Sequence, residues 1–137
     1  MSPSILAIDY GEKRVGVARA SVIARLPEPL TTLNNTDNLL NDIKDLAYEH
    51  EATTIVVGLP RSLEGVDTEQ TRKVRGFIDQ LHEFGFEVVA QDEAVTSEFA
   101  KSELLSTKKA FAKSDIDQLA AVYILQDYLD ETEQNHG

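Results

Sequence analysis

The chain contains no cysteine, which excludes disulfides, thiolate metal sites and cysteine nucleophiles, and which fits a reducing compartment. It has no apolar stretch near the ~20 residues that a membrane-spanning helix requires. Its start, Met1-Ser2-Pro3-Ser4, lacks a basic segment, and the apolar run that follows is too short for a secretory signal. A cytoplasmic protein with no membrane partner is therefore expected. Its three histidines, His50, His82 and His136, are isolated in the sequence and read as surface residues rather than metal ligands. There are no internal repeats and no low-complexity linker.

Positive charge is in the minority. Thirteen Lys and Arg face 24 Asp and Glu, for a formal net charge of −11. Taken alone, that sum opposes tight binding to nucleic acid, because non-specific affinity for phosphate is mostly electrostatic. Distribution matters as well. Acid is loaded onto the C-terminal tail at Asp127, Asp130, Glu131 and Glu133. The bases fall in small groups: Lys13 and Arg14; Arg72, Lys73 and Arg75; Lys108, Lys109 and Lys113. A basic face on an acidic protein is compatible with that pattern, as is scattered solvated charge.

What is present reads as one α/β domain over residues 1–137, long enough to bury a core. Residues 5–10 form an apolar run, and residues 14–20 alternate as a hairpin partner with Gly11 in the turn. Residues 23–33 read as an extended edge segment because of Pro27 and Pro29. Thr36 or Asp37 caps a helix carrying Leu39, Leu40, Ile43, Leu46 and Ala47. A strand at residues 54–58 ends at Leu59-Pro60, and a polar loop follows at residues 61–65. A helix over residues 67–84 buries Val74, Phe77, Ile78 and Leu81 and stops at Gly85. Residues 86–91 form another strand, residues 96–105 a short helix and residues 106–113 a basic loop. Ser114 caps a last helix to residue 130, and residues 131–137 form a frayed tail.

Three acidic positions stand at the ends of elements, where α/β proteins build ligand sites. Asp9 closes the first strand, just before the glycine turn; it is either a metal or phosphate-site carboxylate or a turn residue bonded to its own backbone. Asp92-Glu93 closes the last strand. Side chains on a strand alternate, so one of the two shares a face with Asp9, and the pattern does not say which. Asp117 lies four residues before Ala121 and prolongs the stripe Ala121, Ile124, Leu125 and Tyr128. It either faces the sheet, where a carboxylate needs a cation, or folds back on the Ser114 cap. Three converging carboxylates repel one another, and hard divalent cations such as Mg²⁺ or Mn²⁺ reverse that repulsion.

These segments resemble a known family. Ala7-Ile8-Asp9-Tyr10-Gly11-Glu12-Lys13-Arg14-Val15-Gly16-Val17-Ala18 resembles the opening motif of the YqgF/RuvX family. Val57-Gly58-Leu59-Pro60, Gly65 and Thr71-Arg72-Lys73-Val74-Arg75-Gly76-Phe77 resemble its central motif. Asp92-Glu93-Ala94-Val95-Thr96-Ser97 resembles its Asp-Glu-Arg-Leu-Thr-Thr segment, and residues 116–126 its closing helix. The four motifs keep their order over residues 5–130. The resemblance implies an RNase H-like fold: three layers, α/β/α, around a five-stranded mixed sheet. It implies a metal-dependent endo- or exonuclease that matures the 5′ end of pre-16S rRNA. By the same resemblance, Asp9, Glu93 and Asp117 are the catalytic and metal-binding set for Mg²⁺ or Mn²⁺, as two ions. Two departures stand out: Ala94 replaces the family's Arg, and Glu12 adds negative charge beside Asp9.

Beside the acids, Lys13, Arg14, Arg61, Arg72 and Arg75 are the expected contacts to nucleic-acid phosphate, with pre-rRNA as partner and a monomer or weak homodimer as the working unit. A resolvase-like nuclease acting on branched DNA is the alternative enzyme. A non-catalytic ribosome-assembly or transcription-associated binding module is the alternative outside catalysis. An actin-like phosphotransferase is disfavoured, because the chain carries one Asp-x-Gly loop and lacks the length for a second domain.

Overall fold

The apolar run that ends at Asp9 becomes a central strand. Ser4–Tyr10 (β1) is buried over its first five residues, and Arg14–Ser21 (β2) returns antiparallel beside it, with Asp9 opposite Gly16 and Tyr10 opposite Val15. The connection is tight: a Cβ on Gly11 would overlap the backbone carbonyl of Arg14. This computed structural model describes residues 3–61, 66–94 and 113–136. The remaining described elements are β3 (Glu28–Asn34), α1 (Leu39–Glu49), β4 (Ala52–Arg61), α2 (Glu69–Glu83), β5 (Glu87–Ala94) and α3 (Lys113–His136). Among the described residues the sheet has five strands in the order β3-β2-β1-β4-β5. β1, β4 and β5 run parallel, whereas β2 and β3 pair antiparallel, so the sheet is mixed.

Strand alternation divides the core into two layers. Ile8, Val15, Ile55, Val57 and Leu59 point to one face and pack with Leu39 and Ile43 of α1 and Val74, Phe77, Ile78 and Leu81 of α2. Ile5, Ala7, Ala18, Ala20 and Val56 point to the other, under Ala121, Ile124, Leu125 and Leu129 of α3. Each large aliphatic side chain buried this way contributes about 1.5–3 kcal/mol. Small residues dominate the strand side of the α3 layer, so that helix can lie close to the sheet. The expected three-layer α/β/α arrangement is what the chain adopts.

Several boundaries differ from the sequence reading: β5 runs to Ala94 past the expected residue 91, α3 starts at Lys113 before the expected Ser114 cap, and four more differ for a visible reason. β4 runs through Leu59-Pro60 to Arg61, past the expected stop at Gly58. Its pairing with β1 ends at Ile8–Val57, so the later residues pair with β5 alone, and a proline is tolerated there as on an edge strand. β3 starts at Glu28 rather than residue 23, because a turn precedes it in which the Arg25 amide donates to the Ser21 carbonyl. The α1 cap falls at Asn38; Thr36 instead accepts from the Asn38 amide through its hydroxyl. Residues 131–136, expected as a frayed tail, are helical. The guanidinium of Arg25 holds that end by donating to the Leu129 carbonyl and the Thr132 hydroxyl at 3.0 and 2.9 Å. The helix expected at residues 96–105, the loop at 62–65 and the basic loop at 106–112 lie outside the described residues.

Candidate active site

The three acids are carried by β1, β5 and α3. β1, β4 and β5 are parallel, so Asp9 and Glu93 stand at the same, C-terminal end of the sheet. Their faces follow from the pleat. Asp9 continues the series Ile5, Ala7, which lies under α3. Gly58 of β4 faces the same way, since a Cβ there would collide with the Ile124 side chain. Gly58 pairs with Gln91, and Pro60 pairs with Glu93, so Gln91 and Glu93 share the α3 face. Glu93 is buried, at 8% exposure, whereas Asp92 is exposed. The pleat therefore distinguishes the two neighbours without reference to any relative, and it is Glu93 that shares a face with Asp9.

Asp117 reaches the same region from the helix. A Cβ on Gly16 would overlap the backbone carbonyl of Asp117. Gly16 is the residue opposite Asp9 in the β1–β2 ladder. The start of α3 is thus seated directly over the pair Asp9–Gly16. Gln118 fixes the next position by donating from Nε2 to the Thr32 hydroxyl of β3 at 3.1 Å. The Asp117 side chain accepts a hydrogen bond from Arg14 Nε at 2.9 Å, an ion pair in which the side chains are 35% and 19% exposed. With Asp117 so engaged, the acids share one face but do not close up: among the described residues no group of three His, Asp or Glu is gathered tightly enough to hold a metal ion.

The basic residues divide differently. Arg14 joins the acids, through Asp117. Lys13 is exposed in the β1–β2 turn. Arg72 and Arg75 are exposed on α2, which covers the opposite face of the sheet, and Arg75 pairs with Asp67 at 3.3 Å. The side chain of Arg61 lies outside the described part, as does that of Ala94. Glu12 turns to α2, where its carboxylate meets Lys73 Nζ at 2.8 Å. That hydrogen bond, reinforced by the charge of Lys73 and then of Lys13, holds the Glu12 carboxyl below its ordinary range, and the same partner raises Lys73. The N-terminus of α2 adjoins the site end of the sheet: the Thr71 hydroxyl donates to the Pro60 carbonyl and also completes a capping box with Thr68.

Sequence reasoning missed the two glycines that let α3 approach. Gly16 and Gly58 both lie inside strands, where glycine weakens the strand and marks a close approach of another backbone or side chain. That was the available signal.

The motif pattern of the family described as "RuvX: Holliday junction resolvase" matches residues 3–131. The chain belongs to the RuvX family. Curated relatives named "Putative pre-16S rRNA nuclease" include one from Chloroflexus aurantiacus, 40% identical over 136 residues and covering 96% of this chain and 89% of its own length. Another, from Sulfurihydrogenibium sp., is 39% identical over 92% of this chain and 89% of its own. A third, from Shewanella oneidensis, is 33% identical over 93% and 94%. Among solved structures, T. thermophilus RuvC in complex with Holliday junction substrate aligns over 94% of this chain and 96% of that one, with a TM-score of 0.59 and 13% identity. That likeness concerns the fold, and it agrees with the RNase H-like architecture expected. As a RuvX member the chain is a nuclease, a hydrolase of phosphodiester bonds. No described helix is long and apolar enough to cross a membrane.

Proposed function

We propose that this RuvX chain is a divalent-metal-dependent nuclease acting on RNA, in 5′-end maturation of pre-16S rRNA, with Asp9, Glu93 and Asp117 as its catalytic set. The observation that carries the reading is the shared face: two strand-end carboxylates on the α3 side of the sheet, with the backbone of Asp117 seated over the partner of Asp9. The donor chemistry suits Mg²⁺ or Mn²⁺. All three groups are hard oxygen ligands, none is fully solvated, and burying carboxylates together costs free energy unless cations accompany them. Two such ions, when bound, activate an attacking water and stabilise the leaving oxygen of a phosphodiester.

In this reading Asp9 is the central ligand, because it stands on the middle of the sheet between β2 and β4. Glu93 and Asp117 complete the set from either side. Lys13 and Arg14, at the same end of the sheet, contact substrate phosphate. Arg72 and Arg75 lie on the far layer and guide the strand only around the sheet end. The names of the curated relatives support RNA as substrate. The family description supports a branched-DNA alternative, which shares the same acids.

Asp9→Asn tests the reading. The variant should fold as the parent does and lose Mg²⁺- or Mn²⁺-dependent cleavage. Parent and variant are assayed side by side on a pre-16S rRNA 5′ segment and on a four-way DNA junction. Undiminished cleavage by Asp9→Asn would remove the site assignment, and cleavage of the junction alone would transfer the substrate to DNA.

A further inference from the structure

Arg14 sits where a phosphate contact is expected, yet it is bonded to a carboxylate assigned to metal binding. The geometry points to Arg14 as a resident cation for Asp117, one that a divalent ion displaces and thereby frees for the phosphate of a nucleic acid. This rests on the reading of Asp9, Glu93 and Asp117 as metal ligands.

Placement comes first. Arg14 and Gly16 are two residues apart on β2 and share the α3 face. Asp117 is packed by its backbone over Gly16, and Asp9 is across the ladder from Gly16. The Asp117 backbone is therefore fixed between Arg14 on one side and the strand of Asp9 on the other. Its neighbour Gln118 is tied to Thr32. With the backbone held, the carboxylate changes partner by side-chain rotation alone.

The bond itself is of an exchangeable kind. Arg14 reaches Asp117 through Nε to one oxygen, Oδ2. Arginine binds carboxylates most strongly as a two-pronged fork, and here one prong is used. Among the described residues the terminal N–H groups of Arg14 make no further hydrogen bond. One third of the Arg14 side chain is exposed, so solvent screens the pair. The pair nonetheless matters without metal, because a four-fifths-buried carboxylate is costly without a cation. A divalent ion supplies more charge at the same oxygen. Released, the guanidinium lies beside the site with its full fork available, which is the geometry that suits phosphate.

The test uses the whole chain. Mg²⁺ is titrated into protein labelled with ¹⁵N-arginine while the Arg14 Nε–H resonance is followed, and Mn²⁺ binding is measured by electron paramagnetic resonance on the parent, Asp9→Asn, Arg14→Gln and Arg14→Lys. Mg²⁺ should move the Arg14 resonance in the parent and leave it in place in Asp9→Asn. Arg14→Gln should bind Mn²⁺ about fivefold more tightly than the parent, with Arg14→Lys between them. It should also bind a single-stranded RNA oligonucleotide more weakly in Mg²⁺. If Mn²⁺ binds in an Asp9-dependent way but the Arg14 resonance stays put, the exchange is overturned and the metal reading stands. If neither parent nor Arg14→Gln binds Mn²⁺, both fall. Should Arg14→Gln not fold, the resonance of the parent decides alone.

Discussion

Gly16 lies so close beneath Asp117 that one added carbon would overlap the helix backbone. The atom it would meet is a carbonyl, not the end of a pliant side chain, so α3 itself would have to move. Gly16→Ala should therefore cost about 1–3 kcal/mol, as overpacking of a closed contact does. Urea denaturation measures it. A variant within ~0.5 kcal/mol of the parent would show that α3 does not rest on Gly16. Because the same contact seats Asp117, the variant should also lose Mn²⁺ affinity by more than its stability loss explains.

Gly58 offers a contrast. A Cβ there would meet Cδ1 and Cγ1 of Ile124, the end of a side chain. Ile124 is buried at 2% exposure, so it has little room to turn, but a valine there would remove the closer of the two contacts. Gly58→Ala should destabilise, and Ile124→Val should restore part of the loss. The check is a double-mutant cycle by thermal or urea unfolding, with a coupling of about 0.5–3 kcal/mol favouring the double variant. Additive costs would mean that the two positions do not touch.

These two glycines also show where reading the sequence stops. The α/β class, the β1–β2 hairpin and the buried stripe of α2 are legible, because apolar periodicity reports local burial, whereas the three layers follow from the family resemblance. Thr71 does not read as part of a cap, because the capping-box pattern expects Glu or Gln at its position, and a threonine hydroxyl performs the same role here. Pro60 reads as a stop because the rule against proline assumes neighbours on both sides, and β4 has lost one by then. At Asp92-Glu93 the sequence carries the alternation but not its phase. That phase comes from the register of β5 on β4, a long-range pairing no local pattern encodes. The Arg14–Asp117 pair spans 103 residues, so no spacing rule could propose it.

The phase of β5 yields a prediction about two adjacent acids. Glu93 faces α3 and is buried; Asp92 points the other way and is exposed. Glu93→Gln should lower Mn²⁺-dependent cleavage by at least about 10–100-fold, the loss typical of perturbing even the surroundings of a metal site. Asp92→Asn should stay within about twofold of the parent, like most solvated surface changes. Cleavage rates at saturating Mn²⁺ compare them. Equal losses would mean that the strand end twists out of the register seen here.

Glu12 provides the last prediction, since its position beside Asp9 in the sequence invites a role in metal binding that its geometry argues against. Its carboxylate is held by Lys73 on the α2 layer, away from the α3 face. A carboxyl held below its ordinary value of 4.5 stabilises the fold above that value and stops doing so as pH falls through the lowered one. Lys73, raised above 10.5, contributes below that value and ceases to as pH rises through the raised one. The pair is thus intact from mildly acidic to alkaline pH. Both side chains are well exposed, at 68% and 45% for Glu12 and Lys73, so water screens it and overall stability should barely change when it is removed. The ¹³C resonance of the Glu12 carboxyl should titrate below 4.5 in the parent and move up towards that value in Lys73→Met. Glu12→Gln should bind Mn²⁺ as the parent does. A clear loss of Mn²⁺ affinity in Glu12→Gln would place that carboxylate among the ligands and would mean that the turn swings from α2 to the site when metal arrives.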